Sequence, residues 1–402
     1  MCSSLPALGG QPTKKVHLPR FMIINKKLKV YVAMSGGVDS SVSAALLKKA
    51  GFDVVGVYMK QWSPKVLGSV CIWKQDRQDA MAVCAKLGIS FLTWDYSKEY
   101  EKQVGKYMID SYKKGITPNP DVMCNKVIKF GLFYDKAIKM GADFVATGHY
   151  ARTSLAKSNF SARHGLSAGH PRARKIYLAR SDKLLKAVDQ NKDQTYFLYT
   201  LKKEQLSKII FPVGGLEKSE VRKLAKKFGL ENAEKKDSQG VCFIGPLNMK
   251  NFLKSYIKPK KGNIVLIKNN SCHPRESGDP VIGTHDGVYY YTIGQRHGLD
   301  IKDGHGPYFV VRKDIKKNII YVGSEKDLLC KKAKVIDISW INKPKSFPFL
   351  LDVKIRYRTK SQKANLFKNG NLIFTKPQRA VTEGQSAVFY RGNEVLGGGV
   401  IK

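Results

Sequence analysis

The chain has 402 residues, 43% of them hydrophobic, enough for two or three domains with their own cores; its longest apolar runs, such as Val54–Tyr58, fall far short of the roughly 20 residues a bilayer span needs. Its seven cysteines are too few for a disulfide scaffold and odd in number, and with no CxxC pair and no Cys/His cluster at zinc spacing they leave reduced thiols in a cytosolic protein as the expectation. The 71 basic residues against 32 acidic give a net charge of +39, a field that attracts polyanions; nucleotide bias toward lysine or a merely solvated basic face would produce the same balance, so charge alone does not select a nucleic acid.

The first 26 residues carry no acidic residue and no secretory apolar core, and read as a disordered tail, with an acid-poor presequence as the alternative. From Lys29 to Tyr150, short β-rich runs alternate with helix-length segments. Val30–Met34 and Val54–Tyr58 read as strands, Ser40–Ala50 as a helix, and Ile89–Trp94 and Phe144–Thr147 as further strands. Asp76–Leu87 places Ala80, Val83, Cys84 and Leu87 on one helical stripe, so Cys84 reads as core. This alternation predicts an α/β fold with a doubly wound parallel sheet, whose ligands sit beyond the carboxyl ends of the strands.

Between the first strand and its helix stands Ser35-Gly36-Gly37-Val38-Asp39-Ser40-Ser41. Glycines let the backbone approach an anion, and serine hydroxyls and free helix N–H groups bind it at the positive end of the dipole. There is no GxxxxGK[ST] pattern and no loop lysine, so this is not a Walker loop. It resembles instead the loop of the ATP-pyrophosphatase (PP-loop) superfamily, which cleaves ATP between the α and β phosphates; Asp39 would then help hold Mg²⁺.

In Pro118-Asn119-Pro120-Asp121-Val122-Met123-Cys124-Asn125, Asn119 suits an N-cap and Pro120 the first helical position. Cys124 would fall in the opening turns, where the dipole, Lys126 and Lys129 favour a thiolate, with Asp121 on the same face as a proton-transfer partner. A buried structural cysteine is the competing reading. Ser158–Arg174 reads as an inserted loop. Asp237-Ser238-Gln239-Gly240-Val241-Cys242-Phe243-Ile244-Gly245 reads either as a mobile loop presenting Cys242 or as a short core strand.

Beyond about Gly245 the segments become β-like, interrupted by a second loop-like insert at Ser271–Pro280. Leu351–Arg358 alternates apolar residues with charged ones, predicting one buried face and a mostly basic outer face along the whole run. Asn369-Gly370 and Gly392-Asn393 are hairpin signals, and the last 75 residues or so read as a small antiparallel barrel or sandwich.

Eight ordered motifs together resemble the tRNA-specific 2-thiouridylase (MnmA/TrmU) family. They are Ala33–Ser40, Asn119–Asn125, Thr147–Arg152, Asn191–Leu198, Gly240–Gly245, Thr292–Gly298, Lys354–Arg358 and Gly384–Val388. The resemblance runs from about residue 27 to the end, interrupted by the two inserts, with alanine at position 33 where the family often has glycine. It implies a tail (1–26), a PP-loop ATP-pyrophosphatase domain (27–248), a small β-rich central domain (249–328) and a C-terminal antiparallel β-barrel (329–402), with a segment near 209–229 as a candidate to join the central domain.

The implied activity is ATP-dependent 2-thiolation of the wobble uridine of tRNA, by adenylation of the C2 oxygen and sulfur transfer from a cysteine persulfide. By the same resemblance Ala33, Met34, Ser35, Gly36, Gly37, Val38, Asp39 and Ser40, with Met59 and Gly148, would bind ATP. Asn119, Pro120 and Asp121 would contact the target base. His149, Lys192, Asp193, Gln194, Arg356, Tyr357 and Gln385 would contact tRNA. Cys124 would be the nucleophile, Cys242 the persulfide carrier and Asp121 the general acid/base. ATP and Mg²⁺ are the implied cofactors, with no resident metal site. The implied partners are tRNA and a persulfide-carrying relay protein or cysteine desulfurase, for a cytoplasmic monomer with no membrane association. The rivals are another PP-loop tRNA-modifying or amidating ligase and a non-catalytic RNA-binding protein. An iron–sulfur cluster held by Cys124 and Cys242 lacks the ligand runs such sites use.

Overall fold

A computed structural model describes residues 27–64, 72–154, 182–236, 249–267, 279–301 and 303–402. The expected tail, the 158–174 insert, most of the 271–280 insert and the whole Cys242 motif lie outside the described residues.

Strands β1 (Lys29–Met34), β2 (Asp53–Lys60), β3 (Ser90–Asp95), β4 (Phe144–Thr147) and β7 (Ile209–Ile210) form a parallel sheet in the order β3-β2-β1-β4-β7. Alternation along the strands sorts their side chains onto two faces. Tyr31, Ala33, Val57 and Val145 share one cluster with α3 and α4. Here α3 is the run of helical segments Ser97–Tyr100, Glu101–Gly105 and Lys106–Lys113, and α4 the run Pro120–Cys124, Asn125–Phe133 and Tyr134–Lys139. Val30, Val32, Met34 and Ala146 pack on the other face with α1 (Val38–Lys49), α2 (Ile72–Leu87) and the helix Lys218–Lys227. Helices on both faces are what the strand-helix alternation predicted. Cys84 is core, as its stripe required, and burial pushes its thiol up to about 12. The 209–229 segment supplies an edge strand and a helix packed on α1, so it sits with the parallel sheet rather than with the central region.

The central region is a four-stranded sheet, β10-β11-β8-β9, from β8 (Gly262–Leu266), β9 (Val281–His285), β10 (Phe309–Asp314) and β11 (Ile319–Gly323). The chain then builds a closed six-stranded antiparallel barrel from β12 (Leu329–Trp340), β13 (Phe349–Lys354), β14 (Gln362–Leu366), β15 (Asn371–Arg379), β16 (Ser386–Arg391) and β17 (Glu394–Ile401), closed by β12 against β17. Both Asn-Gly-type signals sit in turns between paired strands. The Leu351–Arg358 expectation needs correction: the strand ends at Lys354, and residues 355–359 turn away. Lys354 is buried against Asp193 (3.3 Å) instead of lying on an outer basic face. The barrel's sheet also reaches back, because β17 pairs with β6 (Leu184–Lys186), which pairs with β5 (Ala151–Thr153). Among the described residues no helix is long and apolar enough to cross a membrane.

Candidate nucleotide and thiol site

In this strand order β1 has β2 on one side and β4 on the other, so the crevice beyond β1 and β4 is the switch point where doubly wound sheets bind ligands. The Ser35–Ser40 loop leaves β1 there. Gly36 adopts φ +74°, and a side chain on it would run into the Asp76 backbone. The loop is tied to itself: Ser35 N donates to Ser40 Oγ (3.2 Å), and the Ser40 and Ser41 hydroxyls donate to Gly37 O (3.0 and 2.9 Å). The opening N–H groups of α1 have no acceptor within the helix, as at any helix start, and face the switch point. Gly148, just past β4, lies so close that a Cβ there would stand 2.6 Å from Ser40 N. Two glycine surfaces and a helix start form a cradle that suits an anionic phosphate chain. Met34 and Met59 are buried beneath it on opposite faces of the sheet.

Three charged or polar side chains that no motif revealed, Lys218, Asn232 and Lys235, complete this loop together with Tyr150 of the Thr147–Arg152 motif. Lys218 Nζ donates to Asp39 Oδ1 (2.7 Å), and the Tyr150 hydroxyl donates to the same oxygen (2.9 Å). Asn232 Nδ2 donates to Gly36 O (3.0 Å) and Ser41 Oγ (2.9 Å). Lys235 Nζ reaches Gly36 O (3.3 Å), Asp76 and Asp79. Burial works against the Lys235 charge, but its two carboxylates outweigh burial and hold its pKa above the ordinary lysine value. The loop has no lysine of its own; Lys218 arrives from a helix start about 180 residues later, at a spacing no local pattern encodes. Lys235 stands two residues before the Asp237–Gly245 motif, the one positional hint it carried.

Asn119 caps α4 as its spacing demanded, its side chain accepting from Val122 N (3.2 Å) with Pro120 at the helix start. Cys124 is 1% exposed and shares the apolar cluster of Ala33 and Met59. Asp121 lies at the surface of the same turn, half-buried, its carbonyl accepting from Asn125 Nδ2 (3.0 Å). The Asn125 Oδ1 atom is buried and unpaired, an acceptor with a vacancy one residue from the thiol.

The residues expected to touch RNA are engaged within the protein. His149 is buried between Phe130 and Phe211, its Nδ1 2.8 Å from Thr147 Oγ1. Burial first, then the Lys129 charge, holds its pKa well below the usual histidine value, so it is neutral. Asp193 bonds Thr195 Oγ1 (2.9 Å) and Lys354; Gln194 Oε1 accepts from Tyr150 N (2.9 Å). Arg356 donates to Ile293 O (3.0 Å) and Ala380 O (3.3 Å), and Tyr357 packs on Phe197 with centroids 4.5 Å apart. Gln385 Nε2 donates to Thr117 O and Pro118 O. Lys192 is half-buried, its N–H donating to Asp189 (3.1 Å).

Among the described residues no group of three or more His, Cys, Asp or Glu side chains is arranged to hold a metal. Asp39 is the loop's carboxylate, which fits a Mg²⁺ carried mainly by phosphate oxygens with a single protein ligand.

Three family models match in succession: the tRNA methyl transferase HUP domain over residues 28–246, the tRNA methyl transferase PRC-barrel domain over 250–324 and the aminomethyltransferase beta-barrel domain over 330–401. Curated relatives match along nearly the whole length. A tRNA-specific 2-thiouridylase MnmA from Halalkalibacterium halodurans is 42% identical, covering 94% of this chain and 95% of that protein. A protein of the same name from Staphylococcus aureus is 43% identical, covering 94% and 96%. A solved 4-thiouridine synthetase–RNA complex with bound ATP overlaps with a TM-score of 0.31 at 18% identity, over 55% of this chain and 46% of that one, too loose a match to bear on function.

Proposed function

The chain belongs to the tRNA-specific 2-thiouridylase family, an ATP-using group of tRNA sulfurtransferases, and from that premise we propose a route by which its own residues thiolate C2 of the wobble uridine. The carrying observation is the cradle at the switch point, Ser35–Ser40 against Gly148, inside a chain alike end to end to 2-thiouridylases. The family models mention methyl transfer, but an anion cradle at a helix start is built for the phosphates of ATP.

The C2 oxygen is a poor leaving group. Its attack on the α-phosphorus of ATP releases pyrophosphate and converts it to an adenylate, from which AMP leaves readily. The loop N–H groups and the Ser35 and Ser40 hydroxyls orient the phosphates. Lys218, released from Asp39, offers a cation to the departing pyrophosphate. Mg²⁺, when bound, would add Asp39 as ligand and neutralise phosphate charge. Asn119, Pro120 and Asp121 meet the flipped base, with Asp121 taking the N3 proton as the C2 oxygen is adenylated and returning it to N3 when the 2-thiouridine forms.

The terminal sulfur of a Cys242 persulfide attacks C2 and expels AMP. The Cys124 thiolate then attacks the Cys242 sulfur, forming a Cys124–Cys242 disulfide and freeing the 2-thiouridine. If Cys124 attacks first, hydrosulfide is freed to attack C2 and the same disulfide remains. Either way an external dithiol must return two electrons to restore both thiols. Cys242 follows Lys236 by six positions in the sequence, and the chain leading to it is tied to the anion loop by Asn232 and Lys235. Cys124 is buried, so the first turn of α4 must open as the base and persulfide arrive.

The sulfur reaches Cys242 from a relay protein or a cysteine desulfurase, and a cytoplasmic monomer serves this chemistry. A basic depression lined by Lys113, Lys258, Lys260, Tyr256 and Tyr289 suits a phosphate backbone between the first and central regions. The test is nucleoside mass analysis of tRNA incubated with ATP and a persulfide source, beside ATP–pyrophosphate exchange. Cys124→Ser and Cys242→Ser are each expected to lose thiolation about a thousandfold or more while keeping tRNA-dependent exchange. Wild-type thiolation by either variant refutes the relay, and a wild-type protein without exchange is a binder only.

A further inference from the structure

Gly115–Pro118 joins the end of α3 to the cap of α4, and both outer regions grip it. From the central region, Lys313 on β10 donates from Nζ to Gly115 O (2.6 Å) and to Tyr291 O (2.9 Å). Ile315 fills the space a side chain on Gly115 would need, and Gly115 itself takes φ +72°. Thr292 Oγ1 lies 3.4 Å from Thr117 Oγ1. From the barrel, Glu383 O accepts from Thr117 N (3.1 Å). Gln385 Nε2 donates to both Thr117 O (3.1 Å) and Pro118 O (3.0 Å). Gly384, at φ +87°, lies flat on Ile116 and Thr117, where a Cβ would stand 2.6 Å from Thr117 O.

Buried backbone groups must find partners, and in this strap Gly115 O, Thr117 N, Thr117 O and Pro118 O all find them on other regions of the chain. The strap leads without a break into Asn119, whose side chain caps α4 and also reaches Tyr196. Tyr196 in turn donates to Ser386 O of the barrel (2.9 Å). Placing the Lys313 ammonium against two neutral carbonyls is costly: burial pushes its pKa down to about 8, with the Glu383 charge opposing. Such a cost is retained where geometry matters.

We propose that Lys313 and Gln385 are positioning residues for sulfur transfer: from two different regions they hold the Gly115–Pro118 strap, so the Asn119–Cys124 turn takes its working geometry only while the central region and the barrel are both docked. This rests on the assignment of Asn119, Asp121 and Cys124 above. It gives Gln385 a role beside the RNA contact that the resemblance implies.

Lys313→Met removes the ammonium and keeps the stem. Gln385→Glu keeps the shape but sets carboxylate oxygens against two carbonyls. Lys316→Ala, on the exposed turn after β10, is the control. Amide hydrogen exchange of residues 116–124 is measured on each full-length variant, with thermal midpoint, tRNA and ATP KM, and thiolation kcat. In Lys313→Met and Gln385→Glu, exchange in 116–124 is expected to quicken about tenfold or more. Thiolation kcat is expected to fall about tenfold or more in both variants, with ATP KM within about twofold in both and tRNA KM within about twofold in Lys313→Met. The control stays at wild type. Should Lys313→Met fail to fold, Gln385→Glu carries the test.

Unchanged exchange overturns the proposal, as does quickened exchange with full kcat. A Gln385→Glu defect confined to tRNA KM overturns it too and makes that side chain an RNA contact. If the wild-type protein makes no 2-thiouridine, the functional assignment fails, and exchange alone then decides whether the clamp exists.

Discussion

Gly148 faces the backbone of Asp39 and Ser40, where a Cβ would stand 2.8 Å from Asp39 C and 2.6 Å from Ser40 N. Neither atom belongs to a flexible side chain, so a methyl group there must displace the start of α1. Gly148→Ala is expected to cost about 1–3 kcal/mol of stability, read from denaturant midpoints. ATP–pyrophosphate exchange should drop about a hundredfold or more while tRNA affinity stays near wild type. An exchange rate within threefold or so of wild type would remove Gly148 from the nucleotide site. The Ser35–Ser41 loop was legible because its glycines and serines do their work within seven consecutive positions. Lys218, Asn232 and Lys235 were not, because a long-range contact to one carbonyl or carboxylate leaves no trace in local spacing.

At the scale of the element, α4 carries two demands on one side chain. Asn119 accepts from Val122 N as a cap and is also assigned to the target base. Serine retains a capping oxygen but loses the amide. Asn119→Ala should therefore lower stability by about 1 kcal/mol, and Asn119→Ser by much less. If the base contact is real, both variants lose thiolation kcat/KM alike, about tenfold or more. Full activity in Asn119→Ser would leave the residue a cap and nothing else. The cap and its proline were readable because helix starts obey local rules. The end of β13 was not: Leu351, Val353, Ile355 and Tyr357 keep period two past the strand's end at Lys354. What stops the strand is tertiary, with Lys354 drawn inward by Asp193 and Arg356 by the carbonyls of Ile293 and Ala380.

For the whole molecule, +39 of net charge was ambiguous as composition. Asp39, Asp76, Asp79, Asp193 and Glu394 are paired with lysine or arginine inside the protein, yet these pairs consume few of its 71 basic residues. With 71 basic residues against 32 acidic, the chain cannot match every cation with a carboxylate of its own, and that excess suits phosphates. Affinity for tRNA should fall about 10³-fold or more between roughly 50 and 200 mM salt, the behaviour expected when six or more phosphates are neutralised. A filter-binding titration with a flat salt response would contradict RNA recognition through the backbone. The order of layers was legible from alternating strand and helix signals, whereas the return of β5 and β6 to the barrel's sheet was not. Strands as short as Leu184–Lys186 carry too little pattern to announce a partner some 200 residues away.

That shared sheet means the barrel is no detachable appendage. A gene product cut short before residue 329 would present the edge of β6 with no neighbour and strip Asp193 of its Lys354 partner. Such a fragment is fated for clumping or proteolysis instead of partial service. Exchange of barrels between relatives would likewise have to carry the Ala151–Thr153 and Leu184–Lys186 ribbon along with it.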